Sequence, residues 1–163
     1  MLMNRLSEPG TIKNRQTIKR NETIKPVLKN LLLCRGVQTE PAGENTYQGE
    51  FKNFIVDEIP AVKTEMFVVT KWGDGQGAQF QQVVRIVDPE NSLEIFNSFE
   101  LENRFLLENI YHEHIVVGRI TDLFLPREGR YRVEVYLGSE IAGRTYFRVG
   151  LKKNVATDPA FSI

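Results

Sequence analysis

The sequence predicts an all-β protein, an antiparallel β-sandwich of about seven or eight strands, with a closed β-barrel as the competing architecture. Three observations carry this expectation. After residue 30 the chain holds only six Ala but fourteen Val, and it holds all ten Phe, five Tyr and the single Trp. Such side chains suit a pleated, half-buried surface. Turn formers recur at strand-length intervals: Pro41-Ala42-Gly43, Pro60, Gly73-Asp74-Gly75, Asp88-Pro89, residues 126–129 and Gly138-Ser139. Between them apolar and polar residues alternate, most cleanly over residues 131–137, where the odd positions are apolar.

The elements follow in order. Strands are expected at 30–37, which opens on Leu31-Leu32-Leu33-Cys34, at 46–56, and at 63–72. Residues 66–70 are apolar on both parities, as in a strand at the centre of a sheet or covered on both faces. Residues 79–88 form a strand that runs into Asp88-Pro89. Residues 92–99 alternate, with Leu93, Ile95 and Phe99 against Glu94 and Ser98. Phe99, Leu106, Leu107 and Ile110 have helical spacing, which predicts one short helix near 100–110. Strands at 112–124, 131–137 and 143–150 complete the set.

A length of 163 residues fits one domain. The organisation expected is a basic, repetitive arm over 1–29, a sandwich over 30–150 and a tail over 151–163. No stretch approaches the roughly 20 apolar residues of a membrane helix, and the net charge is zero. That zero is a sum of unequal parts. Residues 1–30 carry seven basic and two acidic residues, net +5, and residues 31–163 carry fourteen and nineteen, net −5. The arm repeats Thr11-Ile12-Lys13, Thr17-Ile18-Lys19 and Thr23-Ile24-Lys25 every six residues. On a strand the three Ile would share one face. With few large apolar residues the arm reads either as flexible or as an extended segment pairing with a neighbouring subunit. No apolar stretch of signal-peptide length opens the chain, and the one cysteine leaves no intramolecular disulfide, so a cytoplasmic protein is expected.

Two motifs carry a family likeness. Val84-Arg85-Ile86-Val87-Asp88-Pro89-Glu90 is a strand ending in an Asp-Pro turn. Leu125-Pro126-Arg127-Glu128-Gly129-Arg130-Tyr131 leads into the alternating strand at 131–137 and a returning hairpin. Over residues 30–150 they resemble a family of small, uncharacterised bacterial β-sandwich proteins with immunoglobulin-like or C2-like architecture. The resemblance implies a fold and no activity. Within it, Pro126 ends the preceding strand and Gly129 permits a positive φ. Tyr131 resembles the tyrosine corner of immunoglobulin-like sandwiches, whose hydroxyl ties a crossover loop to the backbone.

Chemistry is sparse. His112 and His114, flanking Glu113, are the only histidines; on a strand they would share a face and could ligate a metal with Glu94, Glu102 or Glu108. Gly73-Asp74-Gly75-Gln76-Gly77 lacks the Gly-Lys-Ser/Thr ending of a phosphate loop and reads as a hairpin connection. Asp57, Glu58, Asp74, Asp88 and Glu90 lie at expected strand ends, without calcium-loop spacing. Trp72 and Cys34 read as core residues, and neither Cys34 nor Ser98 has a histidine beside it in sequence. No cofactor is implied. The expectation is a non-enzymatic protein-interaction or structural module that binds a protein partner or itself, by the arm or by open sheet edges. The alternatives are a metal- or small-ligand-binding protein using the His112/His114 face, and nucleic-acid contact through the arm. The acidic body argues against the last.

Overall fold

The computed structural model describes residues 22–90, 92–98, 103–155 and 159. Its first strands are β1 (Val27–Thr39), β2 (Asn45–Glu50), β3 (Asn53–Val56), β4 (Ala61–Gly73) and β5 (Gly77–Val87). There follow β6 (Glu94–Asn97), β7 (Arg104–Leu107), β8 (His114–Leu125), β9 (Gly129–Leu137) and β10 (Glu140–Leu151). One sheet has four strands in the order β2-β1-β4-β8. The other runs β3-β10-β9-β5-β6, with β7 also paired to β5. The sheets face each other as a sandwich and do not close into a barrel. Every strand pair is antiparallel except β3 with β10, which is parallel.

The core lies between the sheets. Met66, Val68 and Trp72 of β4 and Leu33 of β1 meet Val84 and Ile86 of β5 and Tyr131, Val133 and Val135 of β9. Phe51, Phe54 and Phe147 pack as an aromatic group, and Phe147 lies parallel to Tyr131 with ring centroids 5.2 Å apart. Each such fully buried large side chain contributes roughly 1.5–3 kcal/mol. Trp72 is in the core, as its position on the Met66, Val68, Thr70 face predicts. Its indole N–H donates to Gln82 Oε1 at 2.8 Å, and Thr70 donates to the same oxygen.

Three local expectations change. The strand at 46–56 is two strands, because the chain swaps sheets at Phe51-Lys52. The Phe51 N–H still donates to Leu33 in the first sheet, while the Lys52 carbonyl already accepts from Arg148 in the second. The helix near 100–110 is replaced by β7. There Phe105 and Leu107 are buried and Leu106 is exposed, so burial with a period of two overrides the helical spacing. Phe99 lies outside the described residues. The one α-helix among the described residues is the short α1 (Lys152–Val155), directly after β10. Finally, the glycine segment 73–77 joins β4 to β5 and so crosses between sheets instead of closing a hairpin.

The pairing of β4 with β8 keeps one register throughout, yet both strands exchange inner and outer faces midway. Met66, Val68, Thr70 and Trp72 are buried at even positions, whereas Ala61 and Lys63 face inward at odd ones; Ile120 gives way likewise to Leu123 and Leu125. Asp122, at a φ of 53°, sits where β8 changes parity. Asp tolerates the left-handed region better than most residues.

The predicted corner is present. The Tyr131 hydroxyl donates to the Arg127 carbonyl at 2.7 Å and accepts from the Arg127 N–H at 3.2 Å. Gly129 has a φ of 136°, and a Cβ there would come within 2.9 Å of Pro89. The two motifs that carry the family likeness therefore touch each other.

Candidate functional site

The residues singled out from sequence are mostly engaged in holding the fold. His112 and His114 line one open cleft with Leu106 and Tyr111, but their rings are engaged separately. His112 lies in the turn before β8, 3.3 Å from the Asn109 amide and 3.7 Å from Glu108. His114 opens β8 and stacks on Phe105 with centroids 5.5 Å apart. Of the three acids nearest in sequence, Glu94 pairs with Arg85, Glu108 lies by His112, and Glu102 is outside the described residues. Among the described residues, no group of three or more His, Cys, Asp or Glu side chains is placed to hold a metal ion. Of the loop acids, Asp74, Asp88 and Glu90 are engaged by neighbouring groups. Asp88 accepts from the Glu90 N–H at 2.8 Å and from Arg127 Nε at 3.0 Å, and Asp74 pairs with Lys29. Cys34 is fully buried, and that burial pushes its thiol pKa up.

The third Thr-Ile-Lys repeat is part of the folded body; the first two lie outside the described residues. Ile24 and Gln76 exchange backbone hydrogen bonds of 2.7 and 2.9 Å, and the Gln76 side chain donates to the Glu22 carbonyl. Lys25 pairs with Glu140 and Lys29 with Asp74. Gly75 is required beside this contact, since a Cβ there would lie 2.6 Å from Pro26 Cα. Opposite charges of arm and body thus meet within one chain.

Sequence reasoning passed over one exterior surface and left a second, an open sheet edge, without a place. The first is the outer face of the six-stranded sheet. Tyr131, Val133, Val135, Phe147 and Val149 point inward, so the intervening Arg130, Arg132, Glu134, Tyr136, Arg144, Tyr146 and Arg148 point outward. Register sets Arg85, Glu134 and Arg144 in one row. Glu134 is buried, with Arg144, Arg132 and Arg85 nitrogens at 3.5, 3.6 and 3.9 Å. Arg85 also reaches Glu94 at 2.6 Å. Its hydrogen bond with Tyr136, ahead of these carboxylates, holds its guanidinium further toward the charged form. With Lys52 beside Arg148, this face carries six cations against two carboxylates among the described residues, on a body that is net negative. The signal was readable: alternation that fixes Val133 and Val135 inward places the arginines of the same strand outward.

The second is the edge strand β8, which ends the four-stranded sheet. Ile115, Val117 and Phe124 on it are exposed large apolar residues, and Val62 opposite Phe124 is another. Charge interrupts the stripe at the exposed pair Arg119 Nε–Glu65 Oε1, at 2.6 Å, at the exposed Asp122 of β8, and at Lys71, which lies opposite Ile115 and pairs with Glu113 at 3.1 Å.

Residues 29–150 match the family of unknown function DUF6941. The chain belongs to that family. Its sandwich is the small β-sandwich of unknown function that the two motifs imply. No curated protein matches the DUF6941 chain. Among solved structures it is similar to an immunoglobulin-like protein from Pseudomonas aeruginosa, at 12% identity and a TM-score of 0.39, over 77% of this chain and 97% of that one. No helix among the described residues is long and apolar enough to cross a membrane.

Proposed function

We propose that the DUF6941 chain is a non-enzymatic interaction module that associates with a second copy of itself through the edge of β8. The observation that carries this reading is the stripe of Ile115, Val117 and Phe124 on an edge strand of twelve residues. Long edges with apolar exteriors invite strand addition unless charge, bulges or a covering segment protect them. No further strand pairs with β8 among the described residues. Antiparallel pairing of two β8 strands can set Val117 of one copy opposite Phe124 of the other on both sides of a two-fold axis, the self-complementarity that such a dimer requires. The absence of enzymatic activity is supported by how the obvious reactive groups are engaged. Cys34 is buried, His114 is stacked on Phe105, and His112 is bonded within its own turn.

Light scattering across a concentration series tests the proposal. The full chain is expected to dimerise, and Val117→Lys is expected to abolish the dimer while melting like the unsubstituted chain at concentrations below dimerisation. A full chain that stays monomeric at its highest soluble concentration overturns the reading. Loss of the dimer on deleting residues 1–21, with Val117→Lys without effect, would move the contact from β8 to the arm.

A further inference from the structure

The outer face of the six-stranded sheet divides its cations unequally. Arg85, Arg132 and Arg144 gather around Glu134, and Arg85 also has Glu94. Lys52, Arg130 and Arg148 sit at the other end of the face, lining a cleft of about 300 Å³ with Asn53 and Tyr146. None of these three cations has an ion-pair partner among the described residues. Their proximity is imposed by the backbone. Arg130 and Arg148 are directly opposite across the β9–β10 ladder. Arg148 is level with Asn53 on its other side, and its N–H donates to the Lys52 carbonyl at 2.8 Å.

Like charges directly opposite on one sheet face are unfavourable, and no carboxylate among the described residues pairs with them. The Arg130 guanidinium lies 3.8 Å above the centre of the Tyr146 ring. That stacking holds the planar group in place and leaves its N–H donors at the edge for a bidentate acceptor. We propose that the cleft of Lys52, Asn53, Arg130 and Arg148 binds a phosphate group, free or carried by a larger ligand. Two guanidinium forks and an ammonium match the charge and the oxygen geometry of a phosphate, and the Asn53 amide adds a neutral donor. The site lies on the sheet opposite to β8, so it and the proposed dimer can each fail alone.

Calorimetric titration of the full chain with inorganic phosphate, and separately with a phosphoserine peptide and its unphosphorylated form, tests the site at fixed ionic strength. Binding of phosphate is expected, weakened at least tenfold by Arg130→Ala and by Arg148→Ala. Arg130→Lys, which keeps the charge and loses the fork, should weaken it by a smaller factor. Arg144→Ala, outside the cleft, should leave it within twofold. Tighter binding of the phosphopeptide than of free phosphate identifies a phosphorylated protein segment as the source, and equal binding identifies a small phosphate. No heat with either phosphate probe, equal binding of the unphosphorylated peptide, or equal losses in Arg144→Ala and Arg130→Ala would overturn the proposal. Lys52→Gln, on the link between β2 and β3, repeats the test with a variant that leaves both ladder arginines in place.

Discussion

The two outer faces of the sandwich start from the same strand pattern and end in opposite chemistry. Both sheets turn alternate residues into a shared core. The four-stranded sheet then shows the outside Val117, Ile115 and Phe124 along one edge, while the six-stranded sheet shows arginines around one buried glutamate. The ion pairs differ as well. Arg119–Glu65 on the first face is exposed, with side chains 64% and 41% accessible, whereas Glu134 on the second is 4% accessible. Coulomb attraction is weak where water screens it and strong where water is excluded. Inward patterning therefore says which residues face outward but does not fix their chemistry, and the two exteriors are free to serve different partners.

The largest expected effect tests the cationic face. Glu134→Ala leaves Arg85, Arg132 and Arg144 mutually repelling, and chemical denaturation should report a loss of about 2–3 kcal/mol, reduced from a fully buried pair by the partial exposure of the arginines. An unchanged midpoint would show that the face tolerates its own charge. Next, Cys34→Ser places a hydroxyl at a fully buried position level with Phe67, away from the inter-sheet core. It should cost about 1–2 kcal/mol, provided that the exterior of the four-stranded sheet is dry there. Alkaline pH should give a smaller effect with a definite sign. Burial raises the pKa of both the Cys34 thiol and the Tyr131 phenol. The folded state thus keeps protons that the unfolded chain releases, and stability is full below about pH 8.5 and declines above it as first the thiol and then the phenol ionise in the unfolded chain. Melting curves that rise with pH over that range would contradict the burial of both groups. The smallest effect is Arg119→Ala, which should change stability by less than about 0.5 kcal/mol because its pair with Glu65 is solvated.

Strand order and the sheet crossings were the parts least legible in the sequence. Alternation over 131–137 and the Asp88-Pro89 and Pro126 to Gly129 turns give the local elements and even the Tyr131 corner, because those depend on near neighbours. The break at Phe51-Lys52 has no turn residue to mark it. Its cause is long-range, since residues 51 and 52 hydrogen-bond to different sheets. The same holds at 104–107, where helical spacing in a short apolar segment yields to the ladder offered by β5. The candidate histidines were visible as a pair, but whether two side chains converge depends on where β8 begins, and it begins at His114. The arginine face was within reach, and the net charge of the body concealed it. Summing over a whole domain discards the arrangement that a period of two preserves.

The bridge between Ile24 and Gln76 has a mechanical meaning. A pull on the chain ahead of it would load first the Gln76 side-chain bond to Glu22 and the two backbone hydrogen bonds at the segment joining the sheets, and only afterwards the long ladder of β1. Tension on the arm would therefore be relieved in two stages. A short length of chain is released first, freeing Gly73 to Gly77 from its cover, and the sandwich itself bears the load last.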